Sequence, residues 1–216
     1  MKKLIQRIFI VLLLFTSIFF VMRITTKKEI KPFDTKIKRM KISKAVQKST
    51  VCIFNINPTS FCSGVIVEES KKFTYVITNK HCISPSEETL VENKPVTSII
   101  TTIGDDLALV LVKGKIPSKV PTTFAKYNPV IGTELVHIGY PIFELYESWG
   151  TLLRTSKDWH WVNLDSIGGC SGGGVYNNNK ELVGILWGRF RTKPVSIYEP
   201  IEDIKKFLKQ TKVYLK

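Results

Sequence analysis

Gly168-Gly169-Cys170-Ser171-Gly172-Gly173-Gly174 is the stretch from which the rest of the chain is best read. Glycines on both sides of the serine let the backbone turn sharply and let a substrate carbonyl come close. The serine is placed for nucleophilic attack, and the Gly169 and Ser171 N–H groups are free to face an oxyanion. A serine hydroxyl is a poor nucleophile near neutral pH and needs a base within hydrogen-bond reach, itself oriented by a third group. There are three histidines: His81, His137 and His160. His81 ends the run Tyr75-Val76-Ile77-Thr78-Asn79-Lys80-His81-Cys82, an apolar strand leading into a polar turn that can face a cleft. Asp105-Asp106-Leu107-Ala108-Leu109-Val110-Leu111-Val112 puts a carboxylate at the mouth of another buried strand. Asp106 would accept a hydrogen bond from one ring nitrogen of His81 and leave the other for Ser171. His137 lies in an alternating strand and reads as a side chain on one sheet face. His160, between Trp159 and Trp161, reads as a packed edge residue, with a place in a substrate pocket as the other possibility.

These three segments, in this order, resemble the trypsin-like (chymotrypsin-fold) serine proteases. Thr78-Asn79-Lys80-His81-Cys82 is similar to their Thr-x-x-His-Cys segment, Asp106-Leu107-Ala108-Leu109 to Asp-[Ile/Leu]-Ala-Leu, and Gly169-Cys170-Ser171-Gly172-Gly173 to Gly-x-Ser-Gly-Gly. Ala45–Val51 resembles the first strand of bacterial HtrA-type members, and Val136–Pro141 resembles their Ile-Gly-x-Pro turn. The spacing, 25 residues from His81 to Asp106 and 65 more to Ser171, suits a compact bacterial or phage-type member with trimmed loops, and the short stretch after the expected last helix leads to the expectation of no appended PDZ domain. The resemblance covers about residues 45–210. It implies an all-β fold of two six-stranded antiparallel barrels with a C-terminal helix. It also implies a serine endopeptidase acting on protein or peptide substrates, with His81, Asp106 and Ser171 as catalytic residues. Gly169 and Ser171 would form the oxyanion hole.

Further roles come with the resemblance alone. Gly184-Ile185-Leu186-Trp187-Gly188 is similar to the strand that flanks the substrate, so Trp187 and Gly188 would line the pocket. Asp165, six residues before Ser171, stands where a carboxylate selects Lys or Arg before the scissile bond in trypsin. HtrA-type enzymes lack an acid there, and a loop aspartate capping its own turn is the other reading. Cys62 and Cys82 fit a family disulfide that would hold the turn carrying His81. Cys52 and Cys170 are left over. Cys170 could be the nucleophile, as in viral cysteine proteases of this fold, but Ser171 has the Gly-Gly pair directly after it. An inactive peptide-binding module of the same fold, holding a strand by β-augmentation, is the competing functional class.

Composition adds an address. Of the 216 residues 44% are hydrophobic, enough for two fused barrels with real cores. The net charge is +14, yet the lysines are scattered, with no basic helix and no interleaved aromatic platform, so nucleic acid is not expected as a partner. No His/Cys/Asp cluster has metal-ligand spacing, and neither a metal nor a cofactor is expected. Lys2, Lys3 and Arg7 precede an apolar run from Ile8 to Met22, at the lower limit for a membrane span and typical of a signal core. No small-residue cleavage site follows. Residues 1–23 are therefore expected to be a signal anchor holding the enzyme outside the cytoplasm, with secretion after cleavage as the alternative. Lys27, Lys28, Lys31, Lys36, Lys38 and Arg39 argue the opposite orientation by the positive-inside rule. The cysteine pair argues for an oxidising compartment.

Along the chain, residues 24–44 read as a basic tether and 45–216 as the protease domain. In the first barrel, about 45–123, the β-branched and apolar runs predict strands at Val51–Ile56, Gly64–Val67, Phe73–Thr78, Val96–Ile103 and Leu107–Val112. In the second, about 124–199, they predict Glu134–Gly139, Gly150–Leu153, Gly174–Tyr176, Leu182–Trp187 and Ser196–Glu199. Asn177-Asn178-Asn179-Lys180 predicts a hairpin turn, since Asn tolerates positive φ. A helix is expected over about 200–211, with Pro200 at its first position and Ile201, Ile204, Phe207 and Leu208 on one apolar face.

Overall fold

The computed structural model describes residues 32–211 apart from 57, 58, 85–87, 102, 103, 105, 191 and 192. The apolar run 8–22, the membrane or signal reading attached to it, and Asp105 lie outside the described residues. No helix among the described residues is long and apolar enough to cross a membrane.

The segment expected as a tether contains a helix, α1, Pro32–Val46. It carries no amphipathic stripe, which is why its sequence reads as a polar linker. Only Ile42, Ser43 and Val46 near its end are buried, and Ile42 and Val46, one turn apart, lie on one helix face. The strand expected from Ala45 begins later. Gln47–Ser49 is a 3-10 turn, and the Ser49 and Thr50 hydroxyls donate to the Val46 carbonyl at the end of α1.

Residues Met40–Lys216 form one unit that holds both barrels. The first barrel comprises β1 (Thr50–Asn55), β2 (Ser60–Glu69), β3 (Phe73–Asn79), β4 (Thr89–Val91), β5 (Lys94–Thr101) and β6 (Leu107–Lys113). It closes in the order β1-β2-β3-β6-β5-β4. β4, three residues long, is too short to show a pattern in the sequence. The second barrel comprises β8 (Glu134–Gly139), β9 (Tyr146–Thr155), β10 (His160–Val162), β11 (Gly174–Tyr176), β12 (Glu181–Arg189) and β13 (Ser196–Pro200). It runs β11-β8-β9-β10-β13-β12 and closes through β11–β12. A two-residue strand, β7 (Thr123–Phe124), adds to β12 in parallel, which the expected all-antiparallel scheme did not include.

The unbroken apolar runs are explained by two buried faces. Successive strand side chains point to opposite sides. In β6, Ala108, Val110 and Val112 fill the first barrel with Val51, Ile53, Ile66 and Val76. Leu107 and Leu109, with Val65 and Ile77, instead meet Val136, Ile138, Tyr176 and Ile185 of the second barrel. The second barrel has its own core of Leu135, Leu152, Val162, Leu164, Val175, Val183, Leu186 and Tyr198. Helix α2, Ile201–Gln210, buries the expected face of Ile201, Ile204, Phe207 and Leu208 against the shared core. Pro200 is its N-cap in extended conformation, not its first helical residue, because Pro200 still pairs with Gly184 as the end of β13. In the turn before β12 the positive φ falls on Lys180, while the Asn177 side chain accepts from the Asn179 and Glu181 N–H groups.

Candidate active site

Cys62 in β2 and Cys82 in the 3-10 turn Lys80–Cys82 form a disulfide. It closes a loop of 20 residues, worth roughly 3 kcal/mol in the chain-entropy picture, and ties the turn carrying His81 to the barrel wall. β3 and β6 pair in unbroken register from Phe73↔Lys113 to Asn79↔Leu107. The residues just past those two ends, His81 and Asp106, are therefore brought together. His81 Nδ1 and Asp106 Oδ2 are 2.5 Å apart, and the His81 backbone N–H donates to Oδ1 at 3.0 Å. Burial alone would raise the Asp106 pKa; the hydrogen bonds and charge of His81, with a contribution from the Trp187 side chain, outweigh it and hold the carboxyl below its ordinary value. The imidazole is 44% exposed and lines a cleft of about 860 Å3 together with Asp106, Trp159, Trp187, Glu199 and Lys206.

Ser171 sits on the glycine loop of the second barrel. Gly172 has φ +83°, and a Cβ there would collide with the Ser63 carbonyl and the Thr78 hydroxyl. Gly169 has φ +94°, and a Cβ there would come within 2.9 Å of Pro141. Both positions exclude side chains for steric as well as conformational reasons. Among the described residues, the N–H groups of Gly169 and Ser171 have no acceptor. The Ser171 hydroxyl donates to the Trp187 carbonyl at 3.0 Å. The structure thus forms the His81–Asp106 pair, and gives the Ser171 proton to a partner other than His81.

Ser63, which the sequence reading missed, holds the loop that carries Ser171. Its N–H donates to the Ser171 carbonyl at 2.8 Å, and its hydroxyl donates to the Gly169 carbonyl at 2.9 Å and accepts from the Tyr140 N–H at 2.8 Å. Thr78 in turn donates to the Ser63 carbonyl at 2.7 Å. The first barrel thereby grips the Ser171 loop of the second. The only sequence signal for this was proximity: Ser63 follows Cys62, and Thr78 heads the His81 segment.

The remaining candidates fall as follows. Cys170 is buried, and burial pushes its thiol up to about 11; a thiol kept protonated is a poor nucleophile. Cys52 is likewise free, buried and pushed up to about 11. Asp165 is 65% exposed; its carboxylate accepts from the Tyr146 hydroxyl at 3.3 Å and lies 4.0 Å from the Arg189 guanidinium. Gly188 has open space over its Cα. His137 is fully buried; its Nδ1 faces the Gly174 carbonyl, its Nε2 has no partner, and desolvation lowers its pKa to about 4. His160 is buried with Nδ1 3.1 Å from the Tyr198 hydroxyl. Among the described residues no cluster could hold a metal ion.

Solved structures share this architecture. The Rv3671c protease of M. tuberculosis in its active form superposes with TM-score 0.70 at 19% identity, over 80% of this chain and 85% of that one. Its inactive form gives 0.67 at 18%, over 78% and 91%. The serine endoprotease from Yersinia pestis gives 0.68 at 23%, over 78% and 65%. No curated protein matches by sequence. A family model described as a trypsin-like peptidase domain matches residues 62–185, which include Cys62, His81, Asp106 and Ser171. With that match over more than half of its length, the chain belongs to the trypsin-like peptidase family.

Proposed function

We propose that this protein is a serine endopeptidase. The observation that carries the reading is the 2.5 Å contact between His81 Nδ1 and Asp106 Oδ2, which leaves Nε2 as the base. Rotation about the Ser171 Cα–Cβ bond exchanges the Trp187 carbonyl for Nε2. Ser171 Oγ then attacks the peptide carbonyl, and His81 takes its proton and passes it to the leaving amine. Asp106 holds the ring and stabilises the imidazolium. The Gly169 and Ser171 N–H groups bind the oxyanion, and water repeats the sequence on the acyl-enzyme. The buried, protonated thiol of Cys170 favours this over a cysteine mechanism. The test is labelling of the purified full chain with a fluorophosphonate, mapped by mass spectrometry, beside Ser171→Ala. Labelling and peptide hydrolysis should both vanish in the variant; retained turnover overturns the assignment. A peptide-binding module without turnover is the second reading, favoured by the engagement of the Ser171 hydroxyl with Trp187; folded wild type that neither labels nor cleaves would establish it.

Two finer features belong to the same proposal. Asp165 selects Lys or Arg before the scissile bond, the substrate cation competing with Arg189 for the carboxylate. An Asp165→Ser variant that cuts Lys and Arg substrates as well as wild type removes that selectivity. Residues 8–22 anchor the enzyme in a membrane with its barrels outside the cytoplasm, a placement supported by the disulfide, since such bonds persist in oxidising compartments.

A further inference from the structure

Three observations meet at Trp187. First, β12 and β13 shift register between Leu186 and Gly188, so Trp187 sits on an irregularity of the ladder. Such bulges re-aim a residue at the edge of a site. Second, its carbonyl accepts the Ser171 hydroxyl at 3.0 Å. Third, its indole stands edge-on to His81, with ring centroids 6.1 Å apart at 77°, and edge-on to Trp159 at 5.2 Å and 61°. Both tryptophans and His81 line the same cleft.

A hydroxyl has a single proton to donate. While that proton is given to the Trp187 carbonyl, His81 Nε2 cannot receive it. The residue whose backbone holds the nucleophile is therefore also the residue whose side chain leans on the base. The indole contacts both His81 and Trp159 at the irregular stretch of β12 whose carbonyl meets the serine. We propose that Trp187 is a positioning residue that holds Ser171 in a resting rotamer, and that a peptide entering the cleft against the two indoles moves it and frees the hydroxyl for His81. This rests on the serine-endopeptidase reading and adds regulation by the substrate itself. The peptide shifts the equilibrium because it touches the indoles in the released arrangement and finds them packed on His81 in the resting one.

The test compares second-order labelling by a short alkyl fluorophosphonate, too small to reach Trp159, in full-chain wild type, Trp187→Ala, Trp187→Phe and Trp159→Ala. Labelling should rise about tenfold or more in both alanine variants and less in Trp187→Phe, which keeps a ring at that position. Peptide kcat/KM should fall in Trp187→Ala, because the cleft loses a wall. Structural damage would slow labelling and cleavage together, so opposite changes are diagnostic. If Trp187→Ala melts early, Trp159→Ala decides, since its substitution lies outside β12. Labelling of wild type with equal or slower labelling of folded alanine variants overturns the proposal and leaves the endopeptidase reading standing. No labelling in any of the four overturns that reading, and the proposal with it. Silent wild type with reactive alanine variants supports both.

Discussion

The two sides of the candidate site are built by different means. On the first barrel, His81 and Asp106 follow the ends of two strands paired over seven consecutive positions, with a disulfide fixing the turn that carries His81. Their contact follows from register, and it exists without substrate. On the second barrel, Ser171 rides a loop in which Gly169 and Gly172 adopt positive φ, held by Ser63, which Thr78 fixes in turn, and met by an irregular stretch of β12. The comparison teaches that the His81–Asp106 contact is set by strand pairing, while the direction of the Ser171 hydroxyl is set by a contact with another element.

The largest effect expected on the first side is from Asp106→Asn. The amide would turn a donor toward His81 Nδ1 and hold the wrong tautomer. Steady-state kinetics should show kcat lower by about 10,000-fold with KM little changed. A drop below tenfold would mean that register alone orients the ring, and would weaken the contrast between the barrels.

On the loop side, Gly172→Ala should act on the fold before it acts on chemistry. The new Cβ meets the Ser63 carbonyl and the Thr78 hydroxyl, and the residue must keep φ near +83°. Denaturant melts should show a loss on the order of 4 kcal/mol. A near-neutral result would show that the loop can move away from the first barrel, and the grip by Ser63 would not be needed.

A smaller effect sharpens the comparison from beneath the loop. His137 is buried with its pKa lowered to about 4 from 6.5, chiefly by desolvation. The unfolded chain binds the proton that the folded one refuses, so stability falls as pH drops from about 6.5 to about 4 and this contribution then levels off. The full span is roughly 3 kcal/mol. Denaturation of wild type and His137→Leu at several pH values should show the variant flatter across that window. Parallel curves would place the acid sensitivity elsewhere.

Much of the site was legible in the sequence because its parts are local. The glycines around Ser171 announce a backbone that no side chain could share. The apolar runs before His81 and after Asp106 announce strands, and their equal reach explains why the two residues meet. The helix face at Ile201, Ile204, Phe207 and Leu208 was read correctly for the same reason. Other features were hidden in different ways. α1 buries two apolar residues among lysines, so no periodic signal exceeds its polarity. β4 and β10 are three residues each and lack the glycine run and hairpin turn that marked the equally short β11. Asp165 could be counted back from Ser171, but its pairing with Arg189 could not.

The sequence by itself determined the strand runs, the glycine loop and the candidate chemistry of His81, Asp106 and Ser171, and its resemblance to the trypsin-like proteases implied the two barrels and the Cys62–Cys82 pair. Each rests on short-range residue order, which constrains the backbone directly. Only the tertiary structure decided that Ser63 clasps the Ser171 loop and that the Ser171 proton rests on the Trp187 carbonyl. The first joins residues 106 positions apart and the second meets β12 at its register shift against β13, and neither the distance nor the shift leaves a mark in local composition.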